Sequence, residues 1–279
     1  MTTTSPPIDV RTCVVRNTAA ARGRTRSVAP GVTAARHLHY GRIILDAGAP
    51  GERVDPGDHE TGLVCLGGRA IVEVGGARHE MTPYDAIYVP RDTTFVVTPG
   101  AEGCDLAELS APVSGQYPIQ FVAFASVQAD RGLSFNAGGP GSTRRVNVLL
   151  GKNTTAGRIV AGVTFSEPGH WTSWPPHEHT AMLEEAYLYI AMPAPAFAVQ
   201  LVYTNPREPE LATIVHEGDV VLMPGGYHPN VAAPGCRIGF LWMMAANREV
   251  EDRQFGVVNV QPEFAALGSG LDPGRAPGR

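Results

Sequence analysis

The residues best suited to chemistry lie in two short stretches of the second half. Trp174-Pro175-Pro176-His177-Glu178-His179 is followed by Glu184-Glu185-Ala186-Tyr187, and 49 residues after His179 comes Gly226-Tyr227-His228-Pro229-Asn230. Two histidines at i and i+2 on an extended segment project to one face. A carboxylate on the next strand can lie beside them, and a third histidine just after a turn joins the set. Three imidazoles and one carboxylate suit a borderline divalent cation and leave open positions for a substrate. Zinc, manganese, iron, nickel and cobalt all accept such ligands. One divalent metal ion, zinc or manganese before the others, is the expected cofactor at His177, His179, Glu185 and His228. Glu184 is the competing carboxylate. A polar pocket favours Glu185, whose strand face carries Tyr187 and Tyr189, over Glu184, whose face carries Leu188 and Ile190.

An isolated His-x-His is usually structural. His37-Leu38-His39 is a second one, with no carboxylate and third histidine following at comparable spacing, so it is expected to be structural. His177 and His179 differ because three features agree: the Pro-Pro lead, the nearby carboxylate, and the histidine after Pro224-Gly225-Gly226.

Short strands must position these groups. Thr61–Val74 reads as two strands broken at Gly67-Gly68, and Gly75-Gly76 turns the chain into Ala77–Met81. Tyr84–Pro90 and Thr94–Thr98 follow. Residues 111–141, with Pro112, Tyr117-Pro118 and Gly138–Gly141, read as a connection. The strand pattern then resumes at Arg158–Ser166, Ala186–Ile190, Ala198–Tyr203, Thr213–Val215, Val220–Met223 and Ile238–Met244. Residues 1–27 read as irregular or as a short lead-in strand. Tyr84–Pro90 matches Glu217–Pro224: a polar turn with Asp, a short apolar strand, then proline. This pattern predicts a duplicated all-β domain, residues 1–140 as scaffold and 141–279 carrying the chemistry.

Composition agrees. Of 279 residues, 32 are Gly and 24 are Pro, which breaks long helices too often for a helical fold. The net charge of −5, with no dominant basic patch, argues against a nucleic-acid partner. Lys152 is the only lysine, so a lysine imine mechanism would rest on it alone. Cys13, Cys65, Cys104 and Cys236 are scattered, as reduced thiols would be. No apolar run is long enough to span a membrane, and Met1–Pro7 does not begin like a secretory leader. A cytoplasmic homo-oligomer without nucleic-acid or membrane partners is expected.

The histidine motifs resemble the cupin superfamily, whose first motif ends in His-x-His, a short gap and Glu. The second cupin motif matches Gly218, five residues, Pro224, Gly225-Gly226, His228 and Asn230, although His228 and Asn230 fall closer than in the usual form. The segments Trp171–His179, Leu183–Tyr189 and Gly218–Pro229 are similar to the 5-deoxy-glucuronate isomerase family of inositol catabolism. That family is a bicupin with its metal site in the C-terminal half. Its relative, the 5-keto-4-deoxyuronate isomerase of pectin breakdown, shares features with Ser110–Pro112, Tyr117-Pro118 and Leu241–Arg248. Gly218–Val221 and Gly226–Pro229 favour the inositol branch. The resemblance implies two tandem jelly-roll-like barrels, the first degenerate: Asp58-His59-Glu60 supplies one histidine beside carboxylates, not a full set.

The implied reaction is aldose–ketose isomerisation of a small uronic acid. A metal would hold the carbonyl and hydroxyl oxygens. A base must move a proton, and the candidates for that base or its relay are Glu184, Tyr187 and Tyr227. A cation must hold the substrate carboxylate, and Arg144 or Arg145 is the expected one because a guanidinium pairs bidentately. Trp171 and Trp174 are expected to pack around the first motif, with His170 and His216 outside the site. Two other classes remain: a metal-dependent dioxygenase on the same ligands, and a non-catalytic binding cupin.

Overall fold

The computed structural model describes residues 6–271; residues 1–5 and 272–279, the ends of the expected lead-in and of the second half, lie outside them. The architecture is the expected pair of β-barrels. One sheet is built on Gly23–Val28, His39–Leu45, Phe95–Pro112, His59–Val74, Ala86–Val89 and Gln120–Val122, in that spatial order. A second runs Val14–Val15, Val220–Met223, Leu183–Ile190, Gly239–Ala246, Ile159–Ser166, Arg144–Leu150 and Ser134–Ala137. A four-stranded sheet, ordered Trp171–Thr172, Asn230–Ala232, Ala198–Val202 and Leu211–Val215, completes the second barrel. All pairings are antiparallel except one isolated bridge, and the buried apolar side chains form two clusters, one confined to the first barrel. No helix of the described residues is long and apolar enough to cross a membrane.

Two expectations change in detail. The Gly67-Gly68 break does not end a strand: His59–Val74 runs through, with register shifts between Cys65 and Gly67 and between Gly68 and Ala70. Glycines let the backbone bulge without losing its neighbour. The 111–141 connection contains the strand Gln120–Val122, the helix Phe124–Ala129 and the strand Ser134–Ala137. The Gly75-Gly76 turn is as expected, with φ of 58° and 78°, the left-handed pair a tight hairpin requires.

The register makes the duplication explicit. Thr61 pairs with Val89, followed by Pro90, and Glu185 pairs with Met223, followed by Pro224. Asp85 accepts the backbone N–H groups of Thr82 and Phe124, both at 2.8 Å. Asp219 accepts those of His216 (3.1 Å) and Asn17 (2.9 Å). Asn17 follows Val14–Val15, and Phe124 follows Gln120–Val122. Val14–Val15, from the start of the chain, extends the second sheet by pairing with Val220-Val221, and Gln120–Val122, from the connection between the barrels, extends the first by pairing with Ala86–Tyr88.

Glu60 and Glu184, each one residue before the equivalent positions Thr61 and Glu185, cross the boundary as well. Glu60 accepts N–H bonds from Gly157, Arg158 and Ile159 at 2.6–2.7 Å, and the Tyr88 hydroxyl at 2.8 Å. Glu184 accepts them from Arg36, His37 and Leu38 at 2.5–2.7 Å. A buried carboxylate survives only when its charge is met by donors like these.

Glu60→Ala strands three backbone N–H groups and should cost roughly 3–5 kcal/mol, seen as a drop in the thermal unfolding midpoint on the order of 10 °C. An unchanged midpoint would contradict the clamp. The thiols provide a second check. Cys13, Cys65 and Cys104 are buried while Cys236 is half-buried, and burial pushes the Cys65 thiol up to about 12. A thiol reagent at pH 8 should titrate one cysteine in the native protein and four in denaturant.

Candidate metal centre

The two motif regions meet at one end of the second barrel. His177 begins the short strand His177–Glu178, Glu185 lies on Leu183–Ile190, and His228 lies two residues before the strand Asn230–Ala232. Each imidazole is aimed from behind by a backbone carbonyl. The Nδ1 atoms of His177, His179 and His228 lie 2.9, 3.1 and 3.0 Å from the carbonyl oxygens of Pro175, Leu183 and Gly226. A carbonyl only accepts, so Nδ1 carries the hydrogen, and the Nε2 lone pair of the neutral ring faces inward. Gly226 is at φ 83°, and a Cβ there would lie 2.7 Å from the Tyr203 carbonyl oxygen, so this turn requires glycine.

The Nε2 atoms converge on one carboxylate oxygen. Glu185 Oε2 lies 3.0 Å from His179 Nε2 and 3.1 Å from His228 Nε2, and all three side chains are buried. Ligand atoms of His179, Glu185 and His228 lie within 4.8 Å of one another, the one such His/Cys/Asp/Glu group found among the described residues. His177 flanks them, its ring centroid 5.0 Å from that of His228 and 6.4 Å from that of His179. His228 Nε2 is buried without a hydrogen-bond partner, its approach to Glu185 being off axis. Imidazole lone pairs and a carboxylate facing a common point, with one nitrogen orphaned, are the donor set of a divalent cation. Burial, His228 and His179 push His177 down to about 3, leaving the neutral form a ligand needs. Burial alone would raise the Glu185 carboxyl, but the His179 and His228 imidazoles beside it bring it to about 2, so it is ionised. For His179, burial lowers the pKa and the Glu185 carboxylate more than reverses that.

A cavity of about 510 Å³, part of it open to solvent, adjoins these groups; Arg144, Ser173, Tyr187, Phe240, Trp242 and Phe255 are among its walls. Tyr187 donates to or accepts from Ser173 Oγ at 2.6 Å, and burial holds its phenol well above the ordinary value, so it keeps its proton. Arg144 donates to the Ser142 and Gly270 carbonyl oxygens at 3.1 and 3.0 Å, with no carboxylate partner among the described residues. Burial lowers its pKa to about 10, so it remains charged near neutrality.

Three of the sequence-based assignments are corrected. Glu184 is not at the cavity: strand alternation turns it to the opposite face from Glu185, where three backbone amides occupy its carboxylate. Arg145 alternates with Arg144 in the same way and points outward, exposed, to Ser134 and Asn136. Tyr227 is not among the cavity walls and packs on Tyr203 with ring centroids 5.7 Å apart. Trp171 and Trp174 pack on each other at 5.2 Å, and His170 and His216 stay outside the cavity, as expected. His37 and His39 join no metal group, and in the first barrel Thr61 stands where the second has Glu185.

No motif marks the segment after Arg248, yet that segment closes the site. Phe255 stacks flat on Trp242 (4.7 Å, 8°), Asn259–Val260 pairs with His177–Glu178, Gly270 holds Arg144, and Leu271 lines the cavity. The segment carries no extended strand period, so its packing reveals the role. Asn230, just beyond the third histidine, braces the site from behind with Gln200: it donates to Tyr189 Oη (3.1 Å) and Gln200 Oε1 (3.2 Å), and Gln200 Nε2 donates to the His228 carbonyl (3.0 Å).

Metal analysis of protein loaded with a divalent ion and then gel-filtered should find about one equivalent in the wild type and less than a tenth in His179→Ala or Glu185→Gln. His39→Ala should retain the full equivalent. Equal metal content in all forms would remove the site from these residues.

Comparison with known proteins agrees with this arrangement. Residues 13–261 match the KduI/IolB family. The 5-deoxy-glucuronate isomerase of Geobacillus thermodenitrificans is 32% identical over 206 residues, covering 67% of this chain and 73% of that protein. The protein of the same name from Geobacillus kaustophilus is 32% identical over 211 residues, covering 69% and 74%. Among solved structures, an IolB-like protein from Salmonella typhimurium LT2 superposes with a TM-score of 0.81 at 23% identity, covering 91% of this chain and 98% of that one. Bacillus subtilis oxalate decarboxylase, at 12% identity and TM-score 0.62 over 85% and 78% of the two chains, shares the fold. With the family spanning both barrels and the proposed ligand motifs, the chain belongs to the KduI/IolB family.

Proposed function

We propose that this protein is a metal-dependent aldose–ketose isomerase that converts 5-deoxy-glucuronate to 5-dehydro-2-deoxygluconate in inositol catabolism. The observation that carries the proposal is the convergence of His179, Glu185 and His228 beside a cavity that also holds Arg144, a buried cation that no carboxylate of the described residues pairs. The names of the two Geobacillus relatives support the choice of the inositol branch over 5-keto-4-deoxyuronate.

His177, His179, Glu185 and His228 hold the ion. Zinc or manganese suits their donors, and when bound it supplies Lewis acidity toward the carbonyl and hydroxyl oxygens of a substrate. Arg144 receives the substrate carboxylate, exchanging a backbone carbonyl contact for a charged one. Tyr187, held neutral by burial, donates its hydroxyl hydrogen to a substrate oxygen. Phe240, Trp242 and Phe255 surround the reacting carbons with apolar surface and exclude water that would compete for the proton. Among the described residues Glu185 is the one carboxylate of the cavity walls, and Arg144 is the cation that faces a substrate acid group.

Metal-loaded protein mixed with 5-deoxy-glucuronate in D2O should produce the ketose with solvent deuterium at the former aldehyde carbon, read by NMR. Arg144→Met should raise KM on the order of 100-fold, the loss of a bidentate charged contact worth about 3 kcal/mol. Arg145→Met should leave KM unchanged, and Tyr187→Phe should lower kcat. Metal-loaded protein that turns over neither uronate overturns the isomerase reading.

A further inference from the structure

Glu184 is buried and forms no part of the cavity, yet it lies between two residues on which the site depends. The Leu183 carbonyl, in the peptide unit that joins Leu183 to Glu184, receives the Nδ1 hydrogen of His179 at 3.1 Å. The next residue, Glu185, contributes the carboxylate between His179 and His228. Three amides from the other barrel hold the Glu184 carboxylate: Arg36 at 2.7 Å, His37 at 2.6 Å and Leu38 at 2.5 Å. The Arg36 guanidinium stands 3.6 Å away and adds charge. Adjacent strand residues project to opposite faces, so anchoring one side chain on the outer face fixes the rotation of the strand about its axis. That rotation sets both the direction of Glu185 and the plane of the peptide whose oxygen aims His179.

We infer that Glu184 is a positioning residue for the metal centre, through which backbone amides of the metal-free barrel set the affinity of the metal-binding one. The inference rests on the metal reading above. The duplication supplies a matched control. Glu60 makes the same three-amide contact in the opposite direction, to Gly157, Arg158 and Ile159, but it is followed by Thr61 in place of a ligand. The two clamps are alike in burial and in their three amide donors, Glu60 adding the Tyr88 hydroxyl and Glu184 the Arg36 guanidinium, and one of them abuts a proposed ligand strand. A merely structural role would make the two equivalent.

The test compares Glu184→Gln and Glu60→Gln in the full chain. Metal dissociation constants for Zn2+ and Mn2+ are measured by competition with a chromophoric chelator, beside the thermal midpoint of each metal-free form. Both variants should unfold at lower temperature. Glu184→Gln should weaken metal binding 10- to 100-fold, the usual effect of losing a group that orients ligands, and Glu60→Gln by less than about twofold. Glu184→Asp, which keeps the charge on a shorter arm, should give an intermediate affinity and serves in place of the amide if Glu184→Gln does not fold. Wild-type affinity in both Glu184 variants overturns the inference, as does equal weakening in Glu60→Gln. A wild-type chain that binds neither ion overturns the metal reading itself.

Discussion

A carboxylate oxygen with two imidazole nitrogens about 3 Å away is the constraint around which the second barrel is organised. Neutral imidazoles present lone pairs at Nε2, and an ionised carboxylate presents more of them. Such groups repel at that distance unless a proton or a cation lies between them. The fold holds them there by tying every Nδ1 to a carbonyl, so none of the rings can turn its lone pair away. Those carbonyls sit on the Pro-Pro turn, the first residue of the Glu185 strand and the Gly226 turn. The strain of assembling like groups is thus met by backbone geometry spread over three elements, and Gln200 and Asn230 brace the third from behind.

The two barrels share a plan and differ at the position that matters. Asp85 and Asp219 make the same pair of backbone contacts, and Glu60 and Glu184 insert into each other's halves in the same way. At the next residue the first barrel has Thr61 and the second has Glu185. Without a carboxylate at that position the first barrel lacks the charge that a cation would neutralise, and its core is apolar, with Leu63 and Ile43 among the buried side chains. Its remaining contribution is mechanical: the Val14–Val15 strand and the reciprocal carboxylate clamps of Glu60 and Glu184 tie the two halves together.

The His-x-His, the carboxylate and the distal histidine were legible because strand periodicity and turn residues are local features. So was Glu185 over Glu184, since alternation places Tyr187 and Tyr189 on its face. The same rule, applied to Arg144-Arg145, separates the inward residue from the outward one, but only once the inward face is known. In 111–141, proline and glycine density masked two strands and a short helix, whose pairing partners lie in other segments. Most elements between Thr61 and Met244 stand where the alternation of apolar and polar residues puts them.

The sequence by itself determined the strand pattern, the duplication and the set of donors, because each depends on residues near one another in the chain. Tertiary structure alone decided what Glu184 does, which arginine enters the cavity, and that residues after Arg248 close it. Those outcomes depend on contacts between segments more than a hundred residues apart, such as Glu184 with Arg36–Leu38 and Arg144 with Gly270. A carboxylate reads the same in sequence whether it will meet a metal, a substrate proton or three backbone amides; the burial and the donors around it make the difference.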